Sequence, residues 1–405
     1  MQDPAPILAG LKVIDCGTFI FGPAAATVLS DFGAEVIKIE PPGIGDPYRY
    51  LHMMPPLPAS EHAYGWFLTN RNKRGIVLNL KDEEGQAVLR RLVAGADVFV
   101  TNYHPSVLRA FRATYAELAP LNERLIYGYA TGYGERGDEI EKPGYDATAW
   151  WARTGLMDAV READSDPASS VPGMGDHPSA MTLVAAILLG LLQRERTGKG
   201  AKVSSSLLAN GAWANAFLLQ AVLLGAKDFQ PITRRATPNA LVNRYRTRDD
   251  RWIFLAVIQE LKDWPRLPLA LSRPDLLQDP RFATLPARRE NTAALVAELD
   301  AIFASEDLAV WREVLDRHDI TFGLVGRLAE ADRDQQMIDN GIFPEMAMAD
   351  GGTMRTVDSP LSVEGVTKTA PRPAPTLGEH SDQILAELGY GAEAIAAMRA
   401  RGTLG

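Results

Sequence analysis

The sequence predicts an α/β fold built on a parallel sheet, accompanied by a second, smaller domain. Three observations carry this. Strand and helix patterns alternate three times between residues 11 and 131, and a parallel sheet with crossover helices is the economical way to pack such an order. At 405 residues the chain exceeds what one ordinary core organises. After residue 230 the composition turns polar and basic, then into short amphipathic helices interrupted by Pro.

The elements follow in order. Residues 11–14 are an apolar run ending at Asp15, followed by GTFIFGPAAATVLSDFGAEVIKIEPP. This reads as a strand, a Gly-bearing loop, a helix of small residues over 23–29 and a β-branched strand over 35–39. Such a βαβ unit puts residues 16–22 at the carboxyl end of a strand, where open α/β sheets hold ligands, although an ordinary βα loop has the same pattern. Residues 46–63 are rich in Pro and Met without a period and read as a loop, plain or forming a wall of a cleft. A strand over 75–80, a helix over 84–94, a strand over 97–101, a helix over 106–118 and a strand over 124–131 complete the alternation. Gly132, Gly134 and Gly137 then spell GxGxxG. The chain continues as DEIEKPGYD instead of opening a helix, so a dinucleotide site is rejected. Tyr145 and Asp146 head an expected helix bearing Trp150 and Trp151. A strand and a long apolar helix follow Gly200. A strand over 252–258, short helices over 260–320, a hairpin-like stretch over 342–361 and two closing helices finish the chain.

The bulk composition excludes several classes. Apolar residues are 46% and charged residues 23% of the chain, the usage of soluble globular enzymes. A net charge of −9 argues against a general nucleic-acid or membrane-surface binder. The single Cys16 excludes an intrachain disulfide and a thiolate zinc cluster. The N-terminus lacks a secretory pattern, and the apolar run over 181–192 is too short to span a bilayer, so a cytoplasmic protein is expected. Six histidines show no ligand spacing, so no metal is expected. No P-loop or GxSxG occurs.

Carboxylate chemistry remains. The stretch VPGMGDHPSAMTLVAAILLGLLQRERTGKG places Asp176 just ahead of a helix that Pro178 opens. The positive end of the helix dipole should keep this carboxylate ionised near neutral pH, unless Asp176 merely caps the helix. Asp146 occupies a similar helix entrance, where capping is again the plain alternative. Arg71, Lys73, Arg74 and Lys81 gather positive charge around one strand, suited to phosphate or forming a solvated face.

Together, FGPAAATVLSDFGAEVIKIEPPGIGDPYR, NRNKRGIVLNLK, TNYHPSVL, PGYDATAWWARTGLM, GMGDHPSAMTLVAAILLGLLQRERTGKGAKV and APTLGEHSDQILAELGY resemble the family III CoA transferases, whose relatives include the α-methylacyl-CoA racemases. The segments cover nearly the whole chain in the family's order. The resemblance implies a Rossmann-like large domain built from both chain ends, a smaller α+β domain, and an interlocked homodimer. Residues 1–205 and 326–405 would form the large domain, 206–230 a connecting helix and 231–325 the small domain.

By the same resemblance Asp176 is the covalent nucleophile and Asp146 assists it. CoA contacts fall on Ile20, Phe21, Leu78, Asn79, Lys81, Asn102 and Tyr103, with Arg74, Arg109 and Tyr145 beside them. The substrates would be an acyl-CoA and a carboxylic acid, with no permanently bound cofactor. Backbone N–H groups of the turn from Gly173 to Gly175, or of a mobile Gly loop, would stabilise tetrahedral oxyanions. Trp150, Trp151, Met53 and Met54 line an acyl pocket or belong to the core. Some positions depart from the family pattern. Ile20 stands for a frequent Gln, Pro41 for an Arg after Glu40, and the usual Arg beyond Asn102 shifts to Arg109. Residues 230–245 lack a run of glycines, which argues against oxalate and formate. An acyl-CoA racemase working by α-proton exchange and a catalytically silent CoA binder are the alternatives. Asp176 favours transfer.

Overall fold

The computed structural model describes residues 6–227 and 229–405 and divides into two units. The first comprises Met1–Met157, Ser169–Lys227 and Gln336–Gly405; the second comprises Asp158–Ala168 and Asp228–Gln335. The chain thus returns to the first unit at residue 336, and residues 158–168 leave it for a short excursion that the sequence pattern does not announce.

The first unit is organised by six parallel strands: β1 (Lys12–Asp15), β2 (Glu35–Glu40), β3 (Arg74–Val77), β4 (Val98–Thr101), β5 (Ile126–Thr131) and β6 (Ala201–Ser206). Their order is β3-β2-β1-β4-β5-β6, with every pairing parallel. Side chains alternate between two cores, as the two-residue period of a strand requires. Val13, Val36, Val98, Val100 and Ile126 face one core; Ile14, Ile37, Phe99 and Tyr127 face the other. Both faces are covered, which is why the strands read as near-continuous apolar runs.

On the first face lie α1 (Phe21–Asp31) and, further along the chain, α7 (Asp176–Thr197). Every residue of α1 is buried, because its Gly, Pro and Ala side chains let the helix press against its neighbours. On the second face lie α3 (Glu83–Ala94) and the closing helices Ser381–Glu387 and Ala392–Ala400. A short α2 (Tyr64–Asn70) precedes β3. The expected helix over 106–118 is two pieces, α4 (Pro105–Ala110) and α5 (Tyr115–Leu118). Arg112 turns the chain at φ 51°, and Thr114 and Glu117 then start the second piece as a capping box. The expected helix at Asp146 is a π-helix, Asp146–Ala152, closed by an i→i+5 bond from Arg153 N to the Thr148 carbonyl. α8 (Leu207–Ala214), α9 (Ala216–Leu223) and the hairpin Glu345–Ala347 with Thr353–Arg355 complete the main elements of this part, whereas α6 (Leu156–Ala159) begins in it and ends in the second unit.

The second unit holds an antiparallel sheet of β7 (Val242–Arg246), β8 (Trp252–Ala256) and β9 (Phe322–Leu324). Its own core is built on Tyr245, Ile253, Leu255, Phe282, Leu299 and Phe303. No helix among the described residues is long and apolar enough to cross a membrane.

Candidate active site

The strand order reverses between β1 and β4, and the crevice outside their carboxyl ends is where doubly wound sheets hold ligands. A cavity of about 360 Å³ opens there. Its walls come from the loop after β1 (Thr18 to Phe21), from Asn102 to His104 after β4, from Ala130 to Gly132 at the end of β5, and from Leu51 and Leu207. Pro143 to Asp146, Pro172, Gly173 and Asp176 close it. The fold therefore assembles Ile20, Phe21, Asn102, Tyr103, Tyr145, Asp146 and Asp176 from four separate segments.

Asp176 is the first residue of α7 and makes no hydrogen bond through its side chain among the described residues. It does not cap the helix: the cap position is Gly175, with no side-chain cap bond. Burial, followed by the nearby Asp146 carboxylate, lifts its carboxyl from the usual 3.8 to about 8. This corrects the expectation that the helix dipole keeps Asp176 ionised at neutral pH. The dipole supplies about 0.3 to 2 kcal/mol, whereas desolvation of a half-buried carboxylate beside another carboxylate outweighs it.

Asp146 accepts from the Ala147 amide at 2.7 Å and from the Gly175 amide at 3.4 Å. It ties the turn before α7 to the head of the π-helix, whose own first amide, that of Tyr145, is bonded by the Thr148 hydroxyl at 3.0 Å. Gly175 is required because a Cβ there would stand 2.7 to 2.9 Å from the Trp150 side chain. Gly173 sits at φ 81°, and the Nδ1–H of His177 donates to its carbonyl at 3.0 Å. The oxyanion role expected of this turn is largely spent on structure: the Gly175 amide serves Asp146, and the Met174 amide bonds the Val171 carbonyl at 3.2 Å.

The remaining expected contacts divide. Asn102 clamps the first loop, accepting from Thr18 N and donating to Thr18 O, both at 2.8 Å. Tyr103 packs edge-on against Phe111, and burial holds its phenol well above the ordinary value. Tyr145 is exposed and meets Phe19 edge-on at 6.2 Å. Arg74, Leu78, Asn79, Lys81 and Arg109 lie outside the cavity wall. Leu78 is core, Arg109 pairs with Glu141 at 2.8 Å, and Arg74 pairs with Glu387 and Glu35. Lys81 is exposed and makes no ion pair among the described residues.

Three of the four cations clustered around β3 are engaged by carboxylates of the fold, and Lys81 is the exception. Arg71 is buried in a forked pair with Asp31 at 2.9 and 2.6 Å, and Lys73 is buried against Asp15 at 2.8 Å. Trp150 and Trp151 stack in the core at 5.8 Å, behind Gly175, while Met53 and Met54 are exposed. Thr18 and Phe19 fall in the expected ligand loop over 16–22 and Leu51 in the loop over 46–63, whereas sequence reasoning missed Ala130, Thr131, Gly132, Gly144 and Leu207 as wall residues. Gly132 and Gly144 press together so closely that a Cβ on either would lie within 2.9 Å of the other's Cα, a contact that only the folded chain shows.

The strand order and the crevice at its switch point define a doubly wound α/β protein. The chain belongs to CoA-transferase family III, whose sequence profile matches residues 8–381. It is 32% identical over 392 residues to the (R)-2-hydroxy-4-methylpentanoate CoA-transferase of Clostridioides difficile, covering 96% of this chain and 97% of that one. It is 31% identical over 395 residues to the cinnamoyl-CoA:phenyllactate CoA-transferase of Clostridium sporogenes, covering 96% and 95%. The crystal structure of a CAIB/BAIF family protein from Brucella suis superposes with a TM-score of 0.84 at 29% identity, covering 95% of this chain and all of that one. The protein is a CoA transferase, and these relatives favour transfer over the racemase alternative.

Proposed function

We propose that this enzyme moves CoA from an acyl-CoA to an acceptor carboxylate through covalent intermediates on Asp176. The observation that carries the reading is a carboxylate unspent on hydrogen bonds, facing a cavity at the switch point of the sheet. In its ionised form Asp176 attacks the thioester carbonyl. The C–S bond breaks, giving a mixed aspartyl anhydride and CoA thiolate. The thiolate then attacks the aspartyl carbonyl, releasing the first acid and leaving an aspartyl-CoA thioester. The acceptor carboxylate attacks the aspartyl thioester carbonyl, whose C–S bond breaks to give a second anhydride and CoA thiolate, and the thiolate then attacks the acceptor's acyl carbon to release the new acyl-CoA and free the Asp176 carboxylate.

A desolvated carboxylate is the better nucleophile, and the burial that raises its proton affinity also strips its water. Asp146 supports this by holding the turn and by its charge. Oxyanion donors are sought on the Gly132 and Gly144 side of the cavity, since the Gly175 turn is engaged. The nucleotide end of CoA would run from Asn102 and Tyr103 toward Asn79 and the unpaired Lys81 beyond β3, whose binding energy holds the thioester at Asp176.

An interlocked homodimer fits two features of the first unit. Trp213, Phe217, Leu223 and Leu224 on and beside α8 and α9 are each more than three-quarters exposed, more apolar surface than a monomer usually leaves open. A second, apolar hollow of about 1140 Å³ lies along α1, α2, α7 and residues 340–368. A cytoplasmic location fits the composition. The test is hydroxylamine trapping: wild-type protein mixed with an acyl-CoA should give an aspartyl hydroxamate at residue 176 by mass spectrometry, and Asp176→Ala should give none while still binding CoA. Hydroxamate formed unchanged in Asp176→Ala refutes the assignment.

A further inference from the structure

Beneath the first βα loop lies a group of charges that lines neither of the two cavities described above. Asp15, Lys38 and Asp46 are fully buried and Lys73 nearly so. The three N–H groups of Lys73 Nζ are shared among four acceptors, Asp15 and the Pro23 and Thr69 carbonyls at 2.8 Å and the Asn70 side-chain oxygen at 2.9 Å. Lys38 Nζ stands 3.0 Å from Asp46 and 3.8 Å from Asp15. Burial disfavours the Lys38 ammonium, yet Asp15, Asp46 and Glu40 outweigh it and keep it above its ordinary value. Burying four ions is costly, and well-packed apolar residues of similar volume are often at least as stable. Their geometry shows what they are used for.

They grip the loop atom by atom. Gly17 N donates to Asp15 at 3.2 Å, and the Gly17 carbonyl accepts from Lys38. Thr18 N and O are both held by Asn102. Phe19 N donates to Asp46 Oδ1 at 3.1 Å, and the same oxygen accepts from Tyr48 N at 3.0 Å. Phe19 is left-handed, at φ 58°. Glycine would adopt that conformation freely, whereas an aromatic residue persists in it only where its surroundings over-determine the backbone. The chain keeps the ring and holds the strain. That ring lines the cavity containing Asp176 and meets Tyr145 at 6.2 Å and Tyr48 at 6.5 Å.

We propose that Asp46 and Lys38 are positioning residues that hold Phe19 left-handed, so that its ring forms the wall against which the thioester arm of CoA lies. Neither touches substrate; Asp46 acts through the Phe19 amide, and Lys38 fixes Asp46 and the Gly17 carbonyl. The proposal rests on the CoA-transfer reading, and binding of CoA itself tests it apart from turnover.

The experiment compares Asp46→Ala, Asp46→Asn and Phe19→Ala in the full chain, reading CoA affinity by calorimetry, hydroxamate yield at saturating acyl-CoA, and melting temperature. Asp46→Ala should weaken CoA binding tenfold or more, with hydroxamate yield at saturation within about threefold of wild type. Asp46→Asn keeps an acceptor oxygen for Phe19 N and should recover most of the affinity. Phe19→Ala removes only the ring and should weaken CoA binding at least fivefold without lowering the melting temperature by more than a few degrees. It carries the test if Asp46→Ala does not fold. Wild-type affinity in Phe19→Ala, or equal affinity losses in Asp46→Asn and Asp46→Ala, overturns the proposal. Absence of hydroxamate from the wild type, with these affinity changes intact, overturns the transfer mechanism and leaves the positioning role standing.

Discussion

Replacing Asp176 by Asn should make the protein more stable and inactive at once. The folded carboxyl titrates at about 8 against an ordinary value of 3.8, because burial and Asp146 disfavour its charge. A raised folded value means that the fold holds the proton more tightly than the unfolded chain does. The stability tied to that proton is complete below pH 3.8, declines as the pH climbs toward 8, and is gone above it. At roughly 1.4 kcal/mol per pH unit this interval bounds the penalty at about 5 to 6 kcal/mol. Water entering the open cavity lowers it, and about 2 to 3 kcal/mol is the working figure. Asn carries no such penalty. For a unit of this size, at about 2 °C per kcal/mol, Asp176→Asn should melt several degrees above wild type at pH 8. The advantage should shrink steadily on acidification and vanish near pH 4. Differential scanning fluorimetry across pH 4 to 9, with hydroxylamine trapping on the same samples, reads both effects. A variant that melts at or below wild type at pH 8, or whose advantage does not change with pH, would show that Asp176 is not a strained nucleophile.

The same group should set the pH profile of acylation: single-turnover kcat/KM should rise about tenfold per pH unit below pH 8 and level off above it, and a flat profile between pH 6 and 8 refutes an ionised Asp176 as attacker. Asp146→Asn removes the second cause of the raised value, so the profile should move toward acid pH, with lower maximal turnover because the Gly175 tie weakens; a profile that stays in place argues that the two carboxylates do not interact. Gly175→Ala forces a methyl into the Trp150 ring and should cost roughly 1 to 3 kcal/mol, read by thermal or urea melts, together with most of the activity. Lys81→Ala should raise KM for the acyl-CoA more than it lowers kcat; the opposite split counts against a place for Lys81 on the phosphate side.

Much of the sheet was legible in the sequence. The strands at residues 12–15, 35–40, 98–101 and 126–131 fall where the β-branched runs stood, since strands buried on both faces must be apolar throughout. Asp176 and Asp146 were legible as helix-entrance carboxylates within quoted motifs. The split near Arg112 and the π-turn at Trp150 were not, because backbone choices of that kind are settled by packing and not by periodicity. The basic cluster misled for a related reason. Spacing shows that Arg71 and Lys73 are neighbours, but Asp31 and Asp15, which neutralise them, are about 40 and 58 residues away in the chain.

Periodicity, turn chemistry and the loop–helix motif were therefore sufficient to determine the α/β alternation and the two carboxylates at helix entrances, because these depend on residues close together in the chain. Protonation and position were decided only by tertiary structure. Asp176 binds its proton near neutrality because folding removes its water and brings Asp146 close, and Phe19 faces the cavity because buried ions from β1, β2 and the turn beyond them hold its backbone. Both effects need groups that the chain brings together from afar, and their energies depend on distance and dielectric, which a linear order of residues does not contain.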